Sequence, residues 1–177
     1  MNEVELKILE ISIPAVEKKL RKLHAKKIFS GILETSYFDF PGNKLRRKSR
    51  VLRLRVIEGK TFLTFKMRMP VKKAVSSEET EFEVGNFKKA SHFLHRLGLK
   101  TTFSYRKKRV SYRMKKVRIE LEQYLGKFSR IKPFLEIEAQ NEKDAYNAVG
   151  ALGFSEKDAK VWHSGQLFKY YKMKVFE

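Results

Sequence analysis

The chain has no cysteine, four prolines, nine glycines and a single tryptophan, and its 20 acidic residues are outnumbered by 40 basic ones. Without thiols there can be no disulfide and no thiolate-held zinc, and nothing argues for an oxidising compartment. No Gly-rich phosphate loop, nucleophile elbow or His-Glu-x-x-His pair is present. No apolar run approaches the roughly 18 residues of a membrane span, and the acidic start does not resemble a signal peptide. A cytoplasmic protein without a membrane partner is expected. His24, His92, His95 and His163 are scattered, and the three-residue step between His92 and His95 reads as a helix-surface pair rather than a metal site.

What is present describes a globular chain. Its 177 residues are 42% hydrophobic and 34% charged, with 14 Phe and 7 Tyr, which suits one domain, 1–177, with a real core. The formal charge of +20 points to an anionic partner: nucleic acid, polyphosphate, nucleotide or an acidic surface. A Lys- and Glu-rich surface also arises from solvation alone. The basic run Lys44, Arg46, Arg47, Lys48 and Arg50 could track nucleic acid but reads first as a solvated loop, with no aromatic RNA-binding signature around it.

Periodicity organises the rest. Residues 3–11 read as a strand, Ser12 opens a helix through Val16, Leu20 and Leu23, and Tyr37-Phe38-Asp39-Phe40 is an aromatic strand before a Pro41-Gly42-Asn43 turn. Residues 50–56 and 61–69 alternate about Glu58-Gly59-Lys60 as a hairpin, and residues 70–77 read as a mobile loop. A second hairpin spans 101–113 and 117–124. An internal repeat at an offset of 55 residues relates about 79–98 to 134–153: a strand with paired Glu, an Asn N-cap at Asn86 or Asn141, an amphipathic helix, and a terminal Gly. Ser155 to Asp158 resembles a capping box opening a last aromatic helix toward Tyr171.

Glu-x-Glu on a strand occurs at Glu3/Glu5, Glu79/Glu81, Glu81/Glu83, Glu120/Glu122 and Glu136/Glu138. Alternation puts both carboxylates of a pair on one face, about 6.6 Å apart, close enough to share a hydrated divalent cation. Strands carrying Lys7, Arg53, Arg55, Lys66, Arg68, Lys107 and Arg109 alternate likewise. If the strands close on themselves, the charged faces could line an interior in which acids hold a hard cation and bases take phosphate oxygens. The inverse, with apolar faces inside and charges in water, fits the same periodicity.

In order along the chain, Glu3-x-Glu5-x-Lys7, Tyr37-Phe38-Asp39, Leu52-Arg53-Leu54-Arg55, Leu63-Thr64-Phe65-Lys66, Glu81-x-Glu83, Lys107-x-Arg109, Glu120-x-Glu122 and Phe134-Leu135-Glu136-Ile137-Glu138 resemble the CYTH family. That family is named for class IV adenylyl cyclases and thiamine triphosphatases and is also called the triphosphate tunnel metalloenzymes. The resemblance implies an α+β fold, a closed eight-stranded antiparallel β-barrel forming a tunnel with helices packed outside. It implies Mg²⁺ or Mn²⁺ on Glu3, Glu5, Glu120, Glu122, Glu136 and Glu138. Phosphate would be bound by Lys7, Arg53, Arg55, Lys66, Lys107 and Arg109, with Arg68 on the face of Lys66, and Lys7, Arg53, Arg55 and Lys66 would be catalytic. Around Lys107, the alternative face of Arg106 and Lys108 stays open. Where family members often carry a Ser-Tyr segment near the C-terminus, this chain reads Trp162-His163-Ser164-Gly165-Gln166-Leu167.

The implied substrate is ATP, inorganic triphosphate or thiamine triphosphate, and the reaction is either cyclisation to cyclic AMP and pyrophosphate or hydrolysis. The alternative is a basic nucleic-acid or polyphosphate binder without turnover. Nucleic acid is admitted as a partner without being favoured, and a homodimer is left open.

Overall fold

The computed structural model describes residues 4–69 and 76–173, without the side chains of residues 68, 69, 76 and 77. The strands are β1 (Val4–Ile8), β2 (Lys26–Asp39), β3 (Arg50–Ile57), β4 (Lys60–Met69), β5 (Ser76–Val84), β6 (Lys100–Met114), β7 (Val117–Tyr124), β8 (Phe134–Ala139) and β9 (Ala159–Lys160). The helices are α1 (Ile13–Lys22), α2 (Lys44–Arg47), α3 (Phe87–Arg96), α4 (Glu142–Ala151) and α5 (Ser164–Tyr170). All strands join one antiparallel sheet in the order β5-β4-β3-β2-β6-β7-β8-β1-β9.

Local chemistry explains the turns. Glu58 and Gly59 both have positive φ, 49° and 78°, as a two-residue loop between strands of right-handed twist requires, and Ile57 then pairs with Lys60. The side-chain oxygens of Asn86 and Asn141 accept from the N–H groups of Lys89 and Asp144, capping α3 and α4 in the same way. The basic run is not a loop: α2 occupies Lys44–Arg47, because the Asp39 carboxylate accepts from the N–H groups of Leu45 at 2.8 Å and Arg46 at 3.0 Å. Of the segment read as a mobile loop, Ser76 and Ser77 belong to β5, and residues 70–75 lie outside the described residues.

The sheet buries its apolar face under helices. Leu6, Ile8, Ile119, Leu121, Leu135 and Ile137 pack with Val16 and Leu20 of α1 and Ala145 and Val149 of α4. On the ionic face, by the same alternation, a second cluster of Phe103, Tyr105, Tyr124, Phe128, Phe134 and Phe168 packs largely ring edge against ring face, with Tyr124 stacked on Phe134, bringing α5 onto β6, β7 and β8.

Two expectations are corrected. The sheet has nine strands and is not closed, so the eight-stranded barrel is not what the pairing shows. Part of the outer edge of β1 is taken by β9, where Lys7 pairs with Lys160 and Ile8 with Ala159, and β5 lies at the other end of the strand order. β9 displaces the expected last helix. The capping box forms, with Asp158 accepting from Ser155, but it opens only a 3-10 turn at Glu156–Asp158, and α5 starts after His163.

An open sheet can still enclose a space. Laid flat, β5 and β8 would stand six strand spacings apart, about 29 Å. Glu79 and Glu81 of β5 nevertheless line one cavity together with Glu136 and Glu138 of β8, so the sheet curls about its charged face.

Candidate active site

The cavity, of about 270 Å³, collects ionic side chains from β1, β3, β4, β5, β6, β7 and β8. It has two poles. At the acidic pole, Glu120 pairs across the sheet with Glu136, and Glu138 pairs with both Glu5 and Arg118. Alternation directs Glu120, Glu136 and Glu138 to one spot, where each offers an oxygen within 4.8 Å of the others. This is a hard, all-oxygen donor set of the kind that suits Mg²⁺ or Mn²⁺.

Cations of the same sheet hold these acids. Arg109 contacts Glu120, Glu122 and Glu136, the last at 3.3 Å. Lys107 reaches Glu122 at 2.8 Å, and Lys7 lies between Glu5 and Glu136, 2.8 Å from the latter. Burial alone would raise Glu136, but Lys7, Lys107 and Arg109 hold it well below the usual carboxylate range. Burial would likewise lower Lys7, yet Glu136 and Glu5 carry it above its ordinary value. Glu120 is pushed up, because burial and the repulsion of Glu122 and Glu136 outweigh the relief from Arg109 and Lys107. One oxygen of Glu122 and one of Glu120 are buried without a directed hydrogen bond. Glu5, Glu120, Glu122, Glu136 and Glu138 share Lys7, Lys107, Arg109 and Arg118, an excess of negative charge that a bound divalent cation would neutralise.

The basic pole stands on β3 and β4. Arg53 donates to Glu79 at 2.9 Å and lies 3.8 Å from Glu81, and Lys66 reaches Glu79 at 3.1 Å. Both Arg53 and Arg55 bury an Nε without a hydrogen-bond partner, but Arg55 differs in that no ion pair is found for it among the described residues. Burial, then repulsion by Arg53 and Arg109, lowers its pKa. Between the poles, the Tyr37 hydroxyl lies 3.4 Å from that of Tyr105, and burial with the neighbouring Tyr105 pushes it up to about 12.

The expected residues are thus sorted. Glu5, Arg53, Arg55, Lys66, Lys107, Arg109, Glu136 and Glu138 line the cavity. Lys7, Glu120 and Glu122 are almost fully buried, with Lys7 engaged by Glu5 and Glu136 rather than presented to the space. The open register at β6 falls on Lys107, since Arg106 points outward to Glu34 at 2.9 Å. Arg68 lies on β4 opposite Ser77, but its side chain is outside the described residues, as is Glu3 entirely. Tyr105 and Arg118 also line the cavity, and alternation from Lys107 and Glu120 points to both. His163 reaches it from the N-cap of α5, with Nδ1 accepting from Gly165 N–H at 3.0 Å, an approach no local pattern signals.

Known proteins match this arrangement. Residues 1–151 match the CYTH domain model. A Methanocaldococcus jannaschii protein named as a candidate adenylate cyclase is 29% identical over 148 residues, covering 81% of this chain and 82% of that one. A solved Pyrococcus furiosus structure superposes with a TM-score of 0.76 at 27% identity, over 93% of this chain and 99% of that one. A Hippeastrum structure, whose description reports a dominant triphosphatase activity, shares the fold with a TM-score of 0.69 at 18% identity, over 99% of this chain and 98% of its own. With most of its length matched and its ionic face turned onto one cavity, the chain belongs to the CYTH domain family.

Proposed function

We propose that this protein is an enzyme that acts on a triphosphate in the ionic cavity with the help of a divalent cation. The observation that carries the reading is Arg55, a largely buried guanidinium without an ion-pair partner among the described residues, sharing a cavity with a carboxylate cluster. Buried charge is costly unless paired, so a guanidinium that feels Glu79 only beyond contact distance calls for an anionic ligand there. Family membership, and the cyclase and triphosphatase descriptions of the relatives, support reading that anion as a triphosphate.

In this reading Arg53, Arg55 and Lys66 take phosphate oxygens, the guanidinium forks presenting parallel N–H donors. Their charge stabilises the negative charge spread over the transferring phosphoryl group. Tyr37, kept protonated through the neutral range by its high pKa, serves as a neutral donor between the poles. Arg109 braces Glu120, Glu122 and Glu136. Glu120, Glu136 and Glu138 would hold Mg²⁺ or Mn²⁺, which when bound supplies Lewis-acid neutralisation of phosphate charge. Hydrolysis requires water in line with the terminal phosphorus, whereas cyclisation requires the ribose 3′-hydroxyl in line with the α-phosphorus, expelling pyrophosphate. The same lining serves either reaction with the phosphate chain shifted along it.

The test is incubation with ATP, inorganic triphosphate and thiamine triphosphate, each with Mg²⁺ or Mn²⁺, with the products resolved. Cyclic AMP with pyrophosphate marks a cyclase, and orthophosphate marks a hydrolase. Glu138→Gln should remove the metal-supported turnover while circular dichroism reports an intact fold. Turnover unaffected by that change would refute the assignment, and binding without turnover of any of the three would leave a binder.

A further inference from the structure

The acids that touch the cavity's cations fall into two kinds. Glu122 and Glu136 are fixed in the middle of the sheet, with side chains 0% and 7% exposed. Glu79 and Glu81 stand on β5, an edge strand, with side chains 32% and 38% exposed. Edge position matters because a carboxylate there can turn toward water, whereas one in the middle of the sheet cannot leave its partner without desolvated charge remaining behind.

Glu79 is also placed on the wrong partners for a merely structural acid. One of its oxygens lies 2.9 Å from Arg53 and the other 3.1 Å from Lys66, so a single carboxylate spans two cations that face the cavity. Burial would raise its pKa, but Arg53 and Lys66 hold it below the ordinary range, so it is ionised at neutral pH. A carboxylate spanning a guanidinium and an ammonium presents to them the same two-oxygen edge that a phosphoryl group would. Glu81 is tied differently, accepting from the buried Thr64 hydroxyl at 2.6 Å and lying 3.8 Å from Arg53.

We propose that Glu79 is an internal stand-in for substrate phosphate, occupying Arg53 and Lys66 in the free protein and released toward solvent when a polyphosphate anion arrives. This rests on the triphosphate reading of the cavity and adds to it that binding at the basic pole is an exchange of one anion for another. Arg55 carries no such stand-in among the described residues and is the first cation open to the ligand. The consequence is restrained affinity: each phosphate anion that takes Arg53 and Lys66 must displace Glu79, and Glu79 re-pairs as product leaves.

The experiment is calorimetric titration of a methylene-bridged triphosphate analogue, which is not turned over, in the presence of Mg²⁺ at fixed ionic strength. Glu79→Gln should bind it about two- to fivefold more tightly than the unaltered protein, the scale of a partly exposed ion pair. Glu79→Asp, which keeps the charge but shortens the reach, should fall between the two. Glu83→Gln, which removes the partner of the exposed Lys60, should match the unaltered protein. Equal or weaker binding by Glu79→Gln overturns the stand-in role while the triphosphate reading survives. Failure of the unaltered protein to bind the analogue at all would overturn both.

Discussion

The two poles of the cavity contain the same kinds of group but handle charge differently. At the acidic pole, on β1, β7 and β8, each carboxylate that is buried meets a cation rooted in the same stretch of sheet, and Arg109 from β6 serves several at once. At the basic pole, on β3 and β4, the ion pairs come from an exposed edge strand, and Arg55 feels Glu79 only at longer range, with no ion pair among the described residues. The first is a braced set of ion pairs; the second presents a guanidinium with no ion pair among the described residues. Burial with partners gives rigidity, and burial without them stores an affinity that only a ligand relieves.

That contrast yields opposite expectations for stability. Glu136→Gln should be the most damaging change, lowering unfolding free energy by about 3–5 kcal/mol, because it takes from the buried ammonium of Lys7 one of its two carboxylates and from Arg109 one of its three. Denaturant titration measures it. The pH course follows from the two shifts. The folded Glu136 pKa lies below the ordinary 4.5, so its contribution is complete above that value and is lost as pH falls through the folded one. Lys7 has a folded pKa above 10.5, so its contribution is complete below that value and is lost only as pH rises through the folded one. The pair therefore holds across the neutral range, and Glu136→Gln should flatten the acid limb of the stability profile.

Arg55→Met sharpens the comparison. It should lower turnover about a hundredfold, the scale of one lost donor to a developing charge, while leaving thermal stability equal or higher because a buried cation with no ion pair among the described residues is gone. A fall in melting temperature similar to that of Glu136→Gln would erase the distinction between the poles. Leu6→Ala, on the opposite face beneath α1 and α4, should cost about 2–5 kcal/mol without altering the substrate preference of the folded fraction. Arg118→Ala should do least, under about 1 kcal/mol, since its side chain is 47% exposed and lies 3.9–4.0 Å from Glu138 and Glu120.

Much of this architecture can be read along the chain wherever a local rule is decisive. The alternation of Arg53 and Arg55 with Leu52 and Leu54 places β3, and the Glu58-Gly59 turn sets its register with β4. Asn86 and Asn141 announce their helices. The pairing of β9 with β1 had no such signal, because two residues are too few for a periodicity. Lys7 shows the same limit. Its face follows from alternation, but its occupation by Glu5 and Glu136 depends on β8 lying alongside.

By itself the sequence determined which residues share a face, and hence that acids and bases alternate with the apolar core along β1, β3, β7 and β8, because side-chain direction in a strand is a two-residue property. Only the tertiary structure decided that the ionic face curls inward, which acid meets which base, and that Arg55 is left without a partner among the described residues. Those outcomes depend on strand order and on contacts between residues far apart in the chain, and electrostatic energy is set by distance and burial rather than by spacing along the sequence.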